Sequence, residues 1–109
     1  MSFRIFKTKE FDDDFNKLDK SEKIRVEKIL HQIYERGSET GKPLGLPSFR
    51  EKKFNSKRLY YLIYENLGVI LILTISTKKA QQATINNILS HLEGYHDLVI
   101  IKLKELGLM

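Results

Sequence analysis

The sequence contains no cysteine and only two prolines. Without cysteine there can be no disulfide, no thiolate nucleophile and no cysteine-ligated zinc site. The longest apolar run, Val69 to Leu73, is far shorter than the roughly 20 residues of a membrane-spanning helix. Met1 does not begin a long apolar stretch, so no signal peptide is expected. These absences predict a soluble, cytoplasmic protein.

Motifs for cofactors and metals are also missing. The chain has no glycine-rich phosphate loop and no G-x-S-x-G sequence. Its three histidines, His31, His91 and His96, have no spacing that makes a metal site. Asp12 to Asp14 are consecutive, and consecutive helical positions point in different directions. We therefore expect neither a cofactor nor a metal.

The positive charge is concentrated in one segment. The chain has 109 residues, enough for one domain (1–109), and a net charge of +5. Between Lys42 and Arg58 there are six basic residues and one acid, Glu51, so this window carries the whole excess. A local excess of this kind indicates a polyanion partner more strongly than a high pI does.

The periodicity of the chain predicts an α+β fold. A strand at Phe3 to Phe6 precedes two helices, the first capped by Thr8 and the second beginning in a capping box at Asp19 and ending at Gly37. Three strands in meander order follow and complete a sheet of four. They are predicted at Phe49 to Phe54, Leu59 to Tyr64 and Val69 to Ile75.

The C-terminal segment, about 80–107, has a helical pattern that Gly94 interrupts. Leu98 to Met109 is more apolar than a surface helix requires. This segment either packs on the protein's own core or forms a homo- or hetero-oligomer contact.

Five short motifs follow one another along the chain. They are Thr8-Lys9-Glu10-Phe11, Gly41-Lys42-Pro43-Leu44, Phe49-Arg50-Glu51-Lys52-Lys53, Arg58-Leu59-Tyr60-Tyr61 and Lys78-Lys79-Ala80-Gln81-Gln82. In this order, over residues 3–92, they resemble the RelE/ParE superfamily of toxin–antitoxin toxins, and its HigB-like branch most closely. The resemblance implies a type II toxin that cleaves mRNA on the ribosome without a metal and is neutralised by an antitoxin protein.

The implied chemistry is attack of a ribose 2′-oxygen on the adjacent phosphate. It requires a base, cations that stabilise the phosphorane, and an acid for the leaving oxygen. By position, the resemblance makes Arg58 the phosphate ligand, since guanidinium binds two phosphate oxygens at once. It makes Lys52 the base, and Lys78 a phosphate ligand or acid. The predicted RNA-binding residues are Arg50, Lys53, Lys57, Tyr60 and Lys79.

Several alternatives remain open at this point. Arg58 can instead form a structural ion pair with Glu51 or Glu65, and the charged strand can be an edge that blocks aggregation. No tyrosine or histidine stands at the family's C-terminal catalytic position. A gyrase-binding, ParE-like toxin and a non-catalytic RNA-binding or regulatory member of the same fold are therefore the competing functions.

Overall fold

The computed structural model describes residues 3–109, apart from the side chain of Ser38. Met1 and Ser2, which bear on the expected absence of a signal peptide, lie outside the described residues. The elements are, in chain order, β1 (Arg4–Lys7), α1 (Lys9–Asn16), α2 (Lys20–Arg36), β2 (Lys42–Pro43), β3 (Phe49–Phe54), β4 (Lys57–Tyr64), β5 (Val69–Thr77), α3 (Gln81–Leu89) and α4 (Leu92–Glu105). None of the helices in residues 3–109 is long and apolar enough to cross a membrane.

The strands form one mixed sheet in the order β1-β5-β4-β3-β2. β1 runs parallel to β5, and the other neighbours are antiparallel. The α+β prediction is confirmed, but the sheet has five strands where four were expected. The extra strand, β2, pairs only Lys42 with Glu51 and Pro43 with Arg50. Two residues in a loop rich in glycine and proline carry no alternating pattern, so nothing in the sequence indicated this strand.

Local hydrogen bonds set the starts of α1 and α2 as predicted. The Thr8 hydroxyl accepts from the Phe11 amide and donates to the Leu73 carbonyl at 2.6 Å, so it caps α1 and ties it to β5. The side chains of Asp19 and Glu22 form the complete capping box of α2. These contacts satisfy amide groups that a helix start otherwise leaves without partners.

The sheet is covered by helices on both faces. One core lies under α1 and α2, and the other lies under α3 and α4. The first contains, among others, Phe11, Val26, Ile33, Leu59, Tyr61, Ile70 and Ile72. The second contains, among others, Phe49, Tyr60, Leu62, Leu71, Leu73, Ile88 and Val99. Because β4 and β5 are buried on both faces, their sequences are nearly continuous apolar runs.

The C-terminal segment forms two helices, and the break lies at Ser90 and His91. The side chains of both residues hydrogen-bond the Asn87 carbonyl, at 2.8 and 2.7 Å, and so close the end of α3. The predicted interruption at Gly94 is wrong, because this glycine lies inside α4.

The apolar face of α4 is divided between core and surface. Val99 and Leu103 pack on the sheet, as expected if this segment packs on the protein's own core. Leu98 and Ile101 keep 43% and 56% of their surface exposed.

Candidate functional site

Three exposed lysines lie at one end of the sheet, where β3 ends, β4 begins and β5 ends. Lys53 pairs with Arg58, which in turn pairs with Ser76, so these three residues cross the sheet side by side. The Lys78 amide donates to the Ser56 carbonyl at 3.0 Å, which holds the loop after β5 against the β3–β4 turn. Lys53, Lys78 and Lys79 are all exposed. We call these three residues the sheet-end lysines.

Arg58, at the start of β4, belongs to this end of the sheet and is buried. It is 5% exposed, and its Nε lies 3.9 Å from Oε1 of Glu51, which is 2% exposed. Its Nη1 donates to the Lys57 carbonyl at 3.2 Å, while Nε has no hydrogen-bond partner among the described residues. The structure therefore shows the ion pair to Glu51 that was the structural alternative for Arg58. A phosphate can reach this guanidinium only if the residues that cover it move.

Gln81, the first residue of α3, covers the ion pair. Its amide nitrogen donates to both oxygens of Glu51, at 2.8 and 3.2 Å. The contact joins the start of α3 to β3 and satisfies a carboxylate that would otherwise be buried without enough partners. Sequence reasoning missed it, because nothing in the spacing of residues 51 and 81 indicates that they meet.

Lys52 and Arg58 lie on opposite faces of the sheet, which corrects the expected arrangement. Lys52 pairs with Leu59, whose side chain belongs to the core under α1 and α2. Arg58 pairs with Lys53 and faces α3 with Glu51. The two-residue β3–β4 turn fixes this register, and a register offset of one residue reverses the face. Lys52 and Arg58 therefore do not form one base–phosphate site.

Two predicted RNA-binding side chains have intramolecular partners. Arg50 donates from Nε to the Pro47 carbonyl at 2.8 Å and from Nη1 to the Thr40 carbonyl at 3.2 Å, which fixes the loop before β3. Lys57 Nζ lies 2.9 Å from a carboxylate oxygen of Glu22 on α2. Their roles as RNA ligands remain predictions.

Tyr60 was predicted to bind RNA, but its ring has no face exposed to a base. Its side chain is fully buried, with the ring centroid 6.4 Å from that of Phe49. Its hydroxyl hydrogen-bonds the Ser76 hydroxyl at 2.8 Å. Burial raises the pKa of Tyr60, and the hydrogen bond to Ser76 partly opposes that rise. Tyr60 thus supports the second core.

A second group of basic side chains lies between α2 and the edge of the sheet. Because β2 pairs only with Arg50 and Glu51, the rest of β3 has no neighbouring strand on this side among the described residues. A cavity of about 280 Å³ opens there. It is lined by Arg25, Lys28, Ile29, Gln32, Lys52 and Lys53. We call it the α2–β3 groove. Sequence reasoning took no account of its α2 residues, although their spacing places them on one side of a helix.

Metal ligands do not cluster in residues 3–109: no three His, Asp or Glu side chains there are placed to hold a metal ion. His31 lies 2.7 Å from Glu35 on the exposed side of α2. The charged groups of the α2–β3 groove and of the sheet-end lysines are ammonium and guanidinium groups, which bind anions.

Several solved structures are similar to this fold. A free-state double mutant of the E. coli toxin RelE has a TM-score of 0.65 and 20% identity, over 75% of this chain and 90% of that one. RelE in the intact E. coli RelBE toxin–antitoxin complex has a TM-score of 0.61 and 19% identity, over 70% and 96%. The Mycobacterium tuberculosis toxin–antitoxin complex RelBE2 has a TM-score of 0.61 and 20% identity, over 71% and 99%.

The chain therefore has the RelE toxin fold, as the sequence motifs predicted. No protein-family model matches the sequence. No curated protein matches it either. The shared structure covers nearly all of each RelE chain and leaves a quarter or more of this one unmatched. The likeness is thus one of fold, and the placement in the HigB-like branch remains a prediction.

Proposed function

We propose that this protein is the toxin of a type II toxin–antitoxin pair and that it acts on mRNA at the ribosome. The observation that carries the proposal is the exposure of Lys53, Lys78 and Lys79 at one end of a RelE-type sheet. Cations in such an arrangement bind the phosphates of a polyanion and give it a high association rate.

The proposed reaction is cleavage by the ribose 2′-oxygen, with no metal required. Lys78 and Lys79, as ammonium groups, stabilise the additional negative charge of the phosphorane. Lys53 replaces Lys52 as the candidate base, because Lys53 shares the face of Arg58. Arg58 adds a bidentate phosphate contact once Gln81 and Glu51 move aside. Lys78 or Lys79 protonates the leaving 5′-oxygen.

A second candidate is a toxin that binds RNA and blocks translation without cutting the message. The burial of Arg58 against Glu51 favours it, since the strongest phosphate ligand of the expected site is already paired. In this case the sheet-end lysines bind RNA, and no residue acts as the base or the acid that cleavage requires.

The proposed protein partner is an antitoxin. Two of the structures similar to this one are complexes of RelE-type toxins with their antitoxins. We propose that an antitoxin segment covers either the sheet-end lysines or the exposed apolar residues of α4, Leu98 and Ile101.

Expression from a tightly repressed promoter tests the proposal. New 5′-hydroxyl ends on cellular mRNA are expected for the wild-type chain. They should disappear in the triple variant Lys53→Ala, Lys78→Ala, Lys79→Ala. The control variant Lys102→Ala, Lys104→Ala removes two exposed cations of α4 and should cut as the wild type does.

The other results each have a distinct meaning. Growth arrest with intact mRNA supports the non-cleaving candidate. Growth arrest with intact translation and impaired DNA supercoiling indicates a gyrase-directed toxin and contradicts the proposal. Unimpaired growth of cells that contain the folded protein contradicts it as well.

A further inference from the structure

The α2–β3 groove combines residues from two elements that are distant in sequence. Arg25, Lys28 and Gln32 recur at i, i+3 and i+7, so they lie along one side of α2. Lys52, on the α2 side of the sheet, and Lys53, on the opposite side, complete the lining at the edge of β3 that has no strand neighbour among the described residues. Ile29, which is 5% exposed, is the apolar member of the lining. The groove is thus a polar channel along the border between α2 and the sheet.

The lining of the groove carries positive charge without a countercharge of its own. Four cations line it, and no carboxylate is among its lining residues. Two acids nearby are engaged elsewhere: Glu22 with Lys57 at 2.9 Å, and Glu51 with Gln81 at 2.8 Å. Like charges held together on a folded surface destabilise it. A bound anion removes that repulsion, so the groove has the electrostatics of an anion site.

The lining favours a nucleic acid backbone over an acidic peptide. Peptide recognition depends on large apolar anchors in pockets, and the one apolar side chain of this lining is already buried against the core. Phosphates need only cations and donors, which Arg25, Lys28 and Lys52 supply. The amide of Gln32 can donate to and accept from a ribose 2′-hydroxyl.

We propose that the α2–β3 groove binds the sugar–phosphate backbone of folded RNA, in addition to the contacts that the neighbouring sheet-end lysines make. The inference rests on the proposed function, because it assumes that the protein works on RNA. Lys53 belongs to both surfaces, so RNA held in the groove lies beside the sheet-end lysines. The groove would then anchor the protein on structured RNA while the sheet end contacts the message.

Equilibrium binding of a labelled RNA hairpin over a series of salt concentrations tests the inference. The variant Arg25→Gln, Lys28→Gln should lower the slope of log K against log salt by about two, because each substitution leaves one phosphate without its cation. The matched control Lys102→Gln, Lys104→Gln should leave the slope unchanged. A second hairpin with an unrelated stem should lose the same affinity, because phosphate contacts carry no sequence information.

The groove substitutions should change RNA binding without unfolding the protein. Arg25 and Lys28 are exposed, and glutamine is almost as good a helix former as arginine or lysine. The thermal unfolding of the variant should therefore match that of the wild type. The charge reversal Lys28→Glu should weaken binding further than Lys28→Gln does.

The outcomes separate this inference from the proposed function. An unchanged slope in the groove variant, or an equal fall in the control, overturns the inference even if mRNA is still cut. If the salt dependence of RNA binding falls in the groove variant but the wild type causes neither mRNA cleavage nor growth arrest, the inference is supported and the proposed toxin function is contradicted. If a polyglutamate peptide binds in a groove-dependent manner while RNA binding is unaffected, the ligand is an acidic protein and the RNA assignment is overturned.

Discussion

The buried pair of Glu51 and Arg58 provides a quantitative test of the site. Replacing Glu51 by alanine leaves the Arg58 guanidinium, which is 5% exposed, without its countercharge. It also removes the acceptor of the Gln81 amide. A buried charge that loses its countercharge retains its full desolvation cost, so the folded state should be strongly destabilised.

The distance between the partners sets the expected size of the effect. At 3.9 Å, and with an effective dielectric constant of about 20, the attraction between unit charges is roughly 4 kcal/mol. This agrees with the roughly 3–5 kcal/mol that breaking a buried pair typically costs. We expect Glu51→Ala to lower the free energy of unfolding by about this amount.

Urea unfolding followed by circular dichroism measures the change, and Lys57→Ala is the matched control. The Lys57–Glu22 pair is shorter, at 2.9 Å, but its side chains are 28% and 13% exposed, so we expect a loss of about 1 kcal/mol or less. The double variant Glu51→Leu, Arg58→Met should recover most of the loss, because no unpaired charge remains. If Glu51→Ala costs no more than Lys57→Ala, the reasoning about burial is refuted.

Three further predictions concern the cap of α1, a half-buried tyrosine and two glycines. Thr8→Ala should lower the free energy of unfolding by roughly 1–3 kcal/mol, because it removes a helix cap and a buried hydrogen bond, whereas Thr8→Ser should retain most of it. Burial raises the pKa of Tyr64 from 10.0 to about 12, so the stability this phenol provides is present below pH 10 and lost as pH rises towards 12. In alkaline unfolding, Tyr64→Phe should therefore lose less stability than the wild type over this range, and an equal loss would contradict the assignment. Gly41→Ala should lower the free energy of unfolding by roughly 2–4 kcal/mol, because φ is +71° and the new Cβ would clash with the Tyr61 hydroxyl. Gly94→Ala in α4 should raise the free energy of unfolding by up to about 1 kcal/mol. The midpoints of urea unfolding of the two variants measure both changes.

Local chemistry explains which parts of the fold could be predicted from sequence. Thr8 and the Asp19–Glu22 box act through neighbours three residues away, so their caps are visible in the sequence. The strand at Val69–Thr77 is buried on both faces and therefore reads as a continuous apolar run. The break at Ser90–His91 depends on side-chain bonds to one carbonyl, and Gly94 gave a misleading signal.

The site was less predictable, because it depends on register and on distant contacts. Whether Lys52 or Lys53 shares a face with Arg58 is decided by the length of one turn, and an offset of one residue reverses the answer. The two-residue period of a strand places Arg50 and Lys52 on one face of β3, and their partners Tyr61 and Leu59 both lie in the core under α1 and α2. It had no means of relating that face to the next strand.

The α2–β3 groove and the cover over Arg58 require tertiary structure. Residues 25–32 meet residues 52–53 only after α2 packs on the sheet. Gln81 reaches Glu51 only because α3 begins above that part of β3. Both contacts join positions that lie in different elements, and no periodicity within a single element specifies them.

The most direct test of the central claim adds the purified protein to a cell-free translation reaction. We predict that protein synthesis stops and that 5′-hydroxyl ends appear on the message. The variant Lys53→Ala, Lys78→Ala, Lys79→Ala, with unfolding behaviour unchanged from wild type, should leave synthesis running. If synthesis stops while the message stays intact, the protein is an RNA-directed toxin but not a nuclease. Synthesis that continues at its normal rate with the wild-type protein present would contradict the proposed function.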